Sequence, residues 1–154
     1  MSRRLTNEWT ETPAQAFGES GIKGDAFEEH AISLIERKGW RVSRHQSDKK
    51  MQIAGCDVTI HTPSSLFTAD LKGNFKDGKF YVEVGRNGWL YNPQKTSTYI
   101  IHGNATSEVL YIYKRKDMQE YLDRNDIETF VMWGRRVCEF TVKMIEECGF
   151  VSEM

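Results

Sequence analysis

The sequence predicts an α/β fold of the α+β kind: a central mixed sheet of four to five strands, flanked by helices. Three observations predict it. Phe27, Ala31, Leu34 and Ile35 recur at i, i+4, i+7 and i+8, one apolar helical stripe. Short alternating runs broken by turn residues follow, as in consecutive hairpins. Helical and strand-like segments then alternate towards the C-terminus, so helices and strands share one layered unit.

Residues 1–22 are polar, aperiodic and punctuated by Pro13, Gly18 and Gly21, and read as an N-terminal arm. A short helix at Pro13–Phe17 is expected within it, and Trp9 is its one large apolar handle. Residues 23–154 read as a single domain, a length that can bury a real core. The first helix is expected over Lys23–Lys38, with Asp25 in the first turn, where the helix dipole favours an acid, and Gly39 as the stop. Trp40–Arg44 alternates as a strand. Ile53–Ile60 and Leu66–Leu71 are strand-like and joined by a Thr62–Ser65 turn. Asp77-Gly78 is a hairpin signal leading into a strand at Lys79–Val84, the third of a meander of about four. Asn87-Gly88 breaks the chain, and Asn92–His102 is assigned a helix starting near Pro93. A strand at Val109–Tyr113, a helix at Lys116–Arg124, a short strand at Thr129–Trp133 and a helix at Thr141–Cys148, stopped by Gly149, complete the order. No internal repeat or low-complexity segment is present.

The bulk charge is −1, from 21 basic and 22 acidic residues, and at first argues against a nucleic-acid partner. No apolar run approaches the roughly 20 residues that span a bilayer, so no membrane association is expected. The N-terminus lacks the apolar stretch of a signal peptide. Three cysteines, an odd number without a Cys-x-x-Cys pair, argue against a disulfide framework, a zinc ribbon and an iron–sulfur cluster. Together these suggest a reducing, cytoplasmic setting. Dinucleotide fingerprints, phosphate loops and nucleophile elbows are absent, and His30, His45, His61 and His102 show no metal-ligand spacing.

Carboxylates with a lysine remain. The [Asp/Glu]-x-Lys pattern occurs four times, ending at Lys38, Lys50, Lys72 and Lys79. Context chooses among them, because only Asp70-Leu71-Lys72 lies inside an apolar strand. Strand alternation puts Asp70 and Lys72 on one face, with Ala69 and Leu71 on the other. A charge there is costly unless it is paired or bound to a metal. Asp57, in Gly55-Cys56-Asp57-Val58, stands beside an apolar run in the preceding strand. In a hairpin the two aspartates come together, and two carboxylates with a lysine make a site for a hard divalent cation. A purely structural Asp–Lys ion pair fits these three residues equally well. Glu28 shares its helix face with Ile32 and Ile35 and can reach the sheet, whereas Glu29 lies on the solvated side.

Lys23-Gly24-Asp25-Ala26-Phe27-Glu28, then Gly39-Trp40-Arg41-Val42, Gly55-Cys56-Asp57 and Asp70-Leu71-Lys72, resembles the PD-(D/E)XK nuclease superfamily. The nearest flavours are archaeal-type Holliday junction resolvases and small phage or restriction-like endonucleases. The resemblance covers residues 23–72 well and 73–113 loosely. It implies a restriction-endonuclease-like fold and a Mg²⁺- or Mn²⁺-dependent DNA endonuclease. In that scheme Asp57 is the central metal ligand, Asp70 the second acid, the Leu71 carbonyl a backbone ligand and Glu28 a ligand directly or through water. Lys72 matches the catalytic lysine and Ser47 a phosphate-contacting serine. Gln94 and Lys95 resemble a glutamine and lysine near the active site of some members, although a capped helix start accounts for them as well. Cys56 stands where the family often has proline, and the arm is longer than in minimal resolvases. Resolvases of this type imply a homodimer, and related phage enzymes a phage source.

Two other readings compete: a non-catalytic nucleic-acid-binding module on the same scaffold, and a structural protein of a phage-like assembly. Local charge favours DNA over the bulk figure. Residues 36–50 hold six basic residues, among them Arg41, Arg44, Lys49 and Lys50, against two acids. Residues 72–95 hold five, including Lys76 and Lys95, against two. Both stretches flank the acids and suit a phosphate backbone.

Overall fold

The structure, a computed structural model, describes residues 26–45 and 47–154. The arm over 1–22 with Trp9 and its expected short helix, the helix start at Lys23, Asp25 and Gln46 lie outside the described residues. In chain order the elements are α1 (26–36), β1 (Arg41–Arg44), α2 (Lys49–Ile53), β2 (Val58–His61), β3 (Leu66–Lys72), β4 (Lys79–Glu83) and β5 (Tyr99–His102). There follow β6 (Tyr111–Lys114), α3 (Arg115–Arg124), β7 (Thr129–Met132), β8 (Arg135–Thr141), α4 (Val142–Cys148) and β9 (Ser152–Glu153).

The expected mixed central sheet is present. Its order is β1-β2-β3-β5-β6-β9, six strands with the two-residue β9 at one edge. All its pairs are antiparallel except β3 with β5, which run parallel. A second sheet, β4-β8-β7, is wholly antiparallel.

Strand alternation divides the apolar residues into two layers. Phe27, Ala31, Ile32 and Ile35 of α1 pack on Val58, Ile60, Ala69 and Ile101 on one face of the main sheet. The other layer holds Ile100, Tyr111 and Tyr113 of the main sheet with Phe80, Val82 and Phe140 of the second sheet, Met118 of α3 and Ile145 of α4. The main sheet is therefore covered on both faces, and Asp70 and Lys72 alternate away from α1.

Three expectations are corrected. The strand expected from Ile53 starts only at Val58, because Asp48 caps a short helix by accepting the Met51 N–H at 3.2 Å. Gly55, at φ +71°, then turns the chain out of α2. No helix starts at Pro93. Asn92 accepts the Gln94 N–H at 3.0 Å in a tight turn across the proline. Thr96, Ser97 and Thr98 are weak helix formers, and the buried Ile100 and Ile101 take the open edge of β3 as strand β5. The strand at Lys79 leaves the meander for the second sheet. Its partner β8 begins on two arginines, Arg135-Arg136, so the alternation there is masked.

The C-terminal helix is as expected: Thr141 caps it by accepting the Met144 N–H, and Gly149 ends it at φ +79°. No helix among the described residues is long and apolar enough to cross a membrane.

Candidate active site

The site forms where β2 begins and β3 ends. The antiparallel register sets Val58 opposite Ala69, so Asp57, one residue earlier, lies beside Asp70 and Leu71. The backbone fixes it from both sides. Its N–H donates to the Ala69 carbonyl at 3.0 Å, and its carbonyl accepts the His45 N–H at 3.0 Å. Its side-chain Oδ2 accepts the Leu71 N–H at 2.8 Å. The Leu71 N–H, rather than its carbonyl, is thus the backbone group in contact with an aspartate.

Asp70 occupies the middle of the sheet, between β2 and β5, and is only 3% exposed. Lys72, two residues on and on the same face, brings Nζ to 3.3 Å from its Oδ2. The Asp57 carboxyl is pushed up to about 7, foremost by burial, then by the charge of Asp70 and a hydrogen bond with it. The Leu71 N–H and Lys72 oppose that rise without cancelling it. Two acids, one buried and one half-buried, therefore lie beside one cation, and the Asp57 carboxyl keeps its proton up towards neutral pH.

The Lys72 surroundings hold groups that sequence reasoning did not single out. Its Nζ lies 5.2 Å from the centre of the Trp89 ring, within cation–π range. Its register partner on β5 is His102, wholly buried and stacked on Phe80 at 3.8 Å. The Asn74 amide donates to the Tyr81 carbonyl, which orients its Oδ1 as acceptor for His102 Nδ1 at 2.7 Å. His102 Nε2 then accepts from the Tyr113 hydroxyl at 2.7 Å. Burial first and Lys72 second hold His102 well below the ordinary histidine range, so it is neutral beside the lysine.

Arg115 is the third such residue. Its guanidinium is buried and donates to the Ser97 carbonyl at 2.9 Å and the Ser97 hydroxyl at 2.6 Å. It also donates to the carbonyls of Trp89 and Leu90. That clamp holds the loop over 89–97, which carries Trp89 above Lys72. The same loop brings Lys95 to the site: its Nζ donates to the Ile53 carbonyl at 3.0 Å. A Cβ added at Gly55 would meet Lys95 Cδ at 3.1 Å and Asp70 Oδ2 at 3.6 Å, so glycine is what lets the loop close over the acid. Their only sequence signals were a lone histidine and tryptophan and an arginine opening a helix, none distinctive without the strand register.

The remaining candidates are spread around this centre. Glu28 projects from α1, which covers the opposite face of the sheet, and pairs with Arg44 Nε at 3.5 Å. Among the described residues no three His, Cys, Asp or Glu side chains gather closely enough to hold a metal ion, so Glu28 does not complete a three-acid cluster with Asp57 and Asp70. Arg41, Arg44, Ser47, Lys49, Lys50, Lys76 and Gln94 are exposed, and Lys95 is half-buried.

No family model matches the chain, and no curated protein matches its sequence. Two solved structures are similar in part. One is a bacterial homing endonuclease, with TM-score 0.48 and 18% identity over 63% of this chain and 66% of that one. The other is a nuclease from a fusellovirus, with TM-score 0.41 and 10% identity over 89% of this chain and 88% of that one.

The donor set of the centre is hard: carboxylate oxygens with an ammonium beside them. Such a set fits Mg²⁺ or Mn²⁺ in preference to a soft metal. Cys138 stands outside it, a core residue whose thiol burial pushes up to about 12.

Proposed function

We propose that this chain is a divalent-metal-dependent DNA endonuclease, with Asp57, Asp70 and Lys72 as its central groups. The observation that carries the reading is the convergence of two carboxylates on one lysine at adjoining strand ends. A structural ion pair needs one acid. The second, held by three backbone contacts in a site that raises its proton affinity, is costly to folding and is accounted for by a cation.

Mg²⁺ or Mn²⁺ held by Asp57 and Asp70 would polarise a phosphate oxygen and acidify water. The chain's own residues supply the rest. Asp57 is oriented by the Leu71 N–H. Lys72, braced by Trp89 and Asp70, presents an ammonium to the attacking water or to charge developing on the phosphate. Neutral His102 behind it adds no competing charge. In this reading Arg41, Arg44, Lys49, Lys50, Lys76 and Lys95 take the DNA backbone, with Ser47 and Gln94 as polar contacts.

The missing three-acid cluster favours one competitor, a non-catalytic nucleic-acid-binding module. Purified full-length chain is to be assayed on linear, nicked, flapped and four-way DNA with Mg²⁺ or Mn²⁺. Cleavage by wild type and its loss in Asp70→Ala are expected. Absence of cleavage on every substrate sinks the endonuclease reading, and normal cleavage by Asp70→Ala sinks the site. Calorimetric titration with Mn²⁺ separates the competitor, which has no binding site to lose in Asp57→Ala. Preference for the four-way substrate would place the chain with junction-resolving enzymes. Symmetrical cutting there requires two active sites, and sedimentation of the full chain measures whether it is a dimer.

A further inference from the structure

The hairpin joining β7 to β8 turns in two residues, Trp133 and Gly134, between the paired Met132 and Arg135. Both central residues have positive φ, 52° and 72°. That is the backbone of a type I′ turn, whose first position favours asparagine, aspartate or glycine. A bulky side chain at positive φ is an outlier, and such strain points to function when folding does not require it. Folding does not require this indole, which is 58% exposed.

The same chain shows what the turn prefers. Asp77 and Gly78 form another two-residue turn, with φ 55° and 76°, between the bridged Lys76 and Lys79. There the favoured Asp-Gly pair occupies nearly the same dihedral angles.

The surroundings of Trp133 narrow its partner. It is the single exposed large hydrophobic of its hairpin; Ile53 and Leu66, also exposed, lie on α2 and β3. A protein partner would call for a contiguous apolar patch. Arg135, next to it, has its side chain 58% exposed and lies 4.0 Å from Glu83. One flat aromatic beside an exposed cation matches one nucleobase and its phosphate. The hairpin is also linked to the site. Val84 donates its N–H to the Arg136 carbonyl at 2.9 Å, and Gly88 packs on Glu83, one residue before Trp89 and its contact with Lys72. The loop over 84–89 thus joins β8 of this hairpin to the lysine.

We propose that Trp133 is a base-stacking contact, placing its indole on the face of a nucleobase in the DNA engaged at Asp57, Asp70 and Lys72. This rests on the DNA reading above and adds to it a second anchor, outside the catalytic centre. The contact takes a base with an accessible face, as at a flap, a nick or a junction.

The test is 2-aminopurine, placed one position at a time in flapped, nicked and four-way DNA, with full-length chain, both without metal and with Ca²⁺. Quenching at one or two positions by wild type and by Trp133→Phe, and its absence in Trp133→Asn, is expected. Trp133→Asn should bind about 5- to 150-fold more weakly yet melt at a higher temperature, since Asn-Gly suits the turn; misfolding is thereby excluded. A full chain that binds DNA equally well as Trp133→Asn overturns the stacking contact and leaves the active-site reading standing. A Trp133→Asn chain that melts lower than wild type overturns the argument from the turn. A full chain that binds no DNA overturns both readings.

Discussion

Two regions of this molecule break local rules in opposite directions. In β3, Asp70 puts a charge where the strand's neighbours are apolar and water is excluded. At the β7–β8 turn, Trp133 puts an indole where water is plentiful and a small polar residue belongs. The interior exception is supported on every side: Lys72 at 3.3 Å, Asp57 tied to the Leu71 N–H, and a loop clamped above by Arg115. The surface exception is exposed and unsupported within its own hairpin. A supported exception marks a centre that has to keep its geometry. An unsupported one marks a group whose contact comes from outside.

The largest expected difference between the regions is in catalysis. Asp70→Ala should lower cleavage by on the order of 10³-fold, whereas Trp133→Asn, assayed at saturating DNA, should change the turnover rate little. Asp70→Ala should nonetheless melt close to wild type. Lys72 is 27% exposed in its side chain and stays hydrated, and Asp57 loses its like-charged neighbour. Single-turnover cleavage and a thermal melt measure the two halves. A collapse of stability in Asp70→Ala would mean that the acid is a structural ion-pair partner first.

The regions also differ in their response to pH. The Asp57 carboxyl has a folded value near 7 against an ordinary 3.8, so folding takes up a proton between them. Its contribution to the stability of the metal-free chain is fully present below about 4 and is lost as pH rises through 7. Melting in EDTA should therefore show a downward slope with pH over that window from this group. Asp57→Asn should flatten it, and Lys72→Met should extend it to higher pH by removing the cation that opposes the rise. Mn²⁺ competes with the same proton, so calorimetric affinity should weaken as pH falls below about 7. Trp133→Asn should leave the slope unchanged. A slope indifferent to Asp57 would place the raised proton affinity elsewhere.

The two positive-φ turns allow a smaller, sharper comparison. Asp77→Trp should destabilise the chain by about 1–3 kcal/mol, the cost of a bulky residue held in that region. Trp133→Asn should stabilise it by a similar amount. Denaturant melts of the two variants measure both, and equal changes of the same sign would dissolve the contrast between a turn chosen for folding and one chosen for contact.

What was legible in the sequence follows the same division. The α1 stripe, the Asp70–Lys72 alternation and the Asp57–Asp70 approach depend on periodicity and one hairpin register, which short-range pattern carries. His102, Trp89 and Arg115 reach the site through the parallel pairing of β3 with β5 and a loop that begins 17 residues beyond Lys72, which no local pattern encodes. The helix expected at Pro93 failed for that reason: the open edge of β3 outweighed the weak local preference of Thr96–Thr98. Trp133 was readable only as the end of a short strand, because its meaning lies in a dihedral angle.

The smallest effect concerns Glu28, which the family resemblance joins to the metal and the structure pairs with Arg44 at 3.5 Å. The pair is partly exposed, so its worth is modest. Glu28→Gln should change stability by no more than about 1 kcal/mol. Because α1 covers the sheet face opposite Asp70, cleavage at saturating Mg²⁺ should stay within about threefold of wild type, the scale of such a surface pair. DNA affinity should rise slightly at low salt, since Arg44 is released towards phosphate, and the gain should fade as salt is added. A cleavage loss on the scale of Asp70→Ala would instead return Glu28 to the metal centre and require α1 to shift towards β3 when DNA binds.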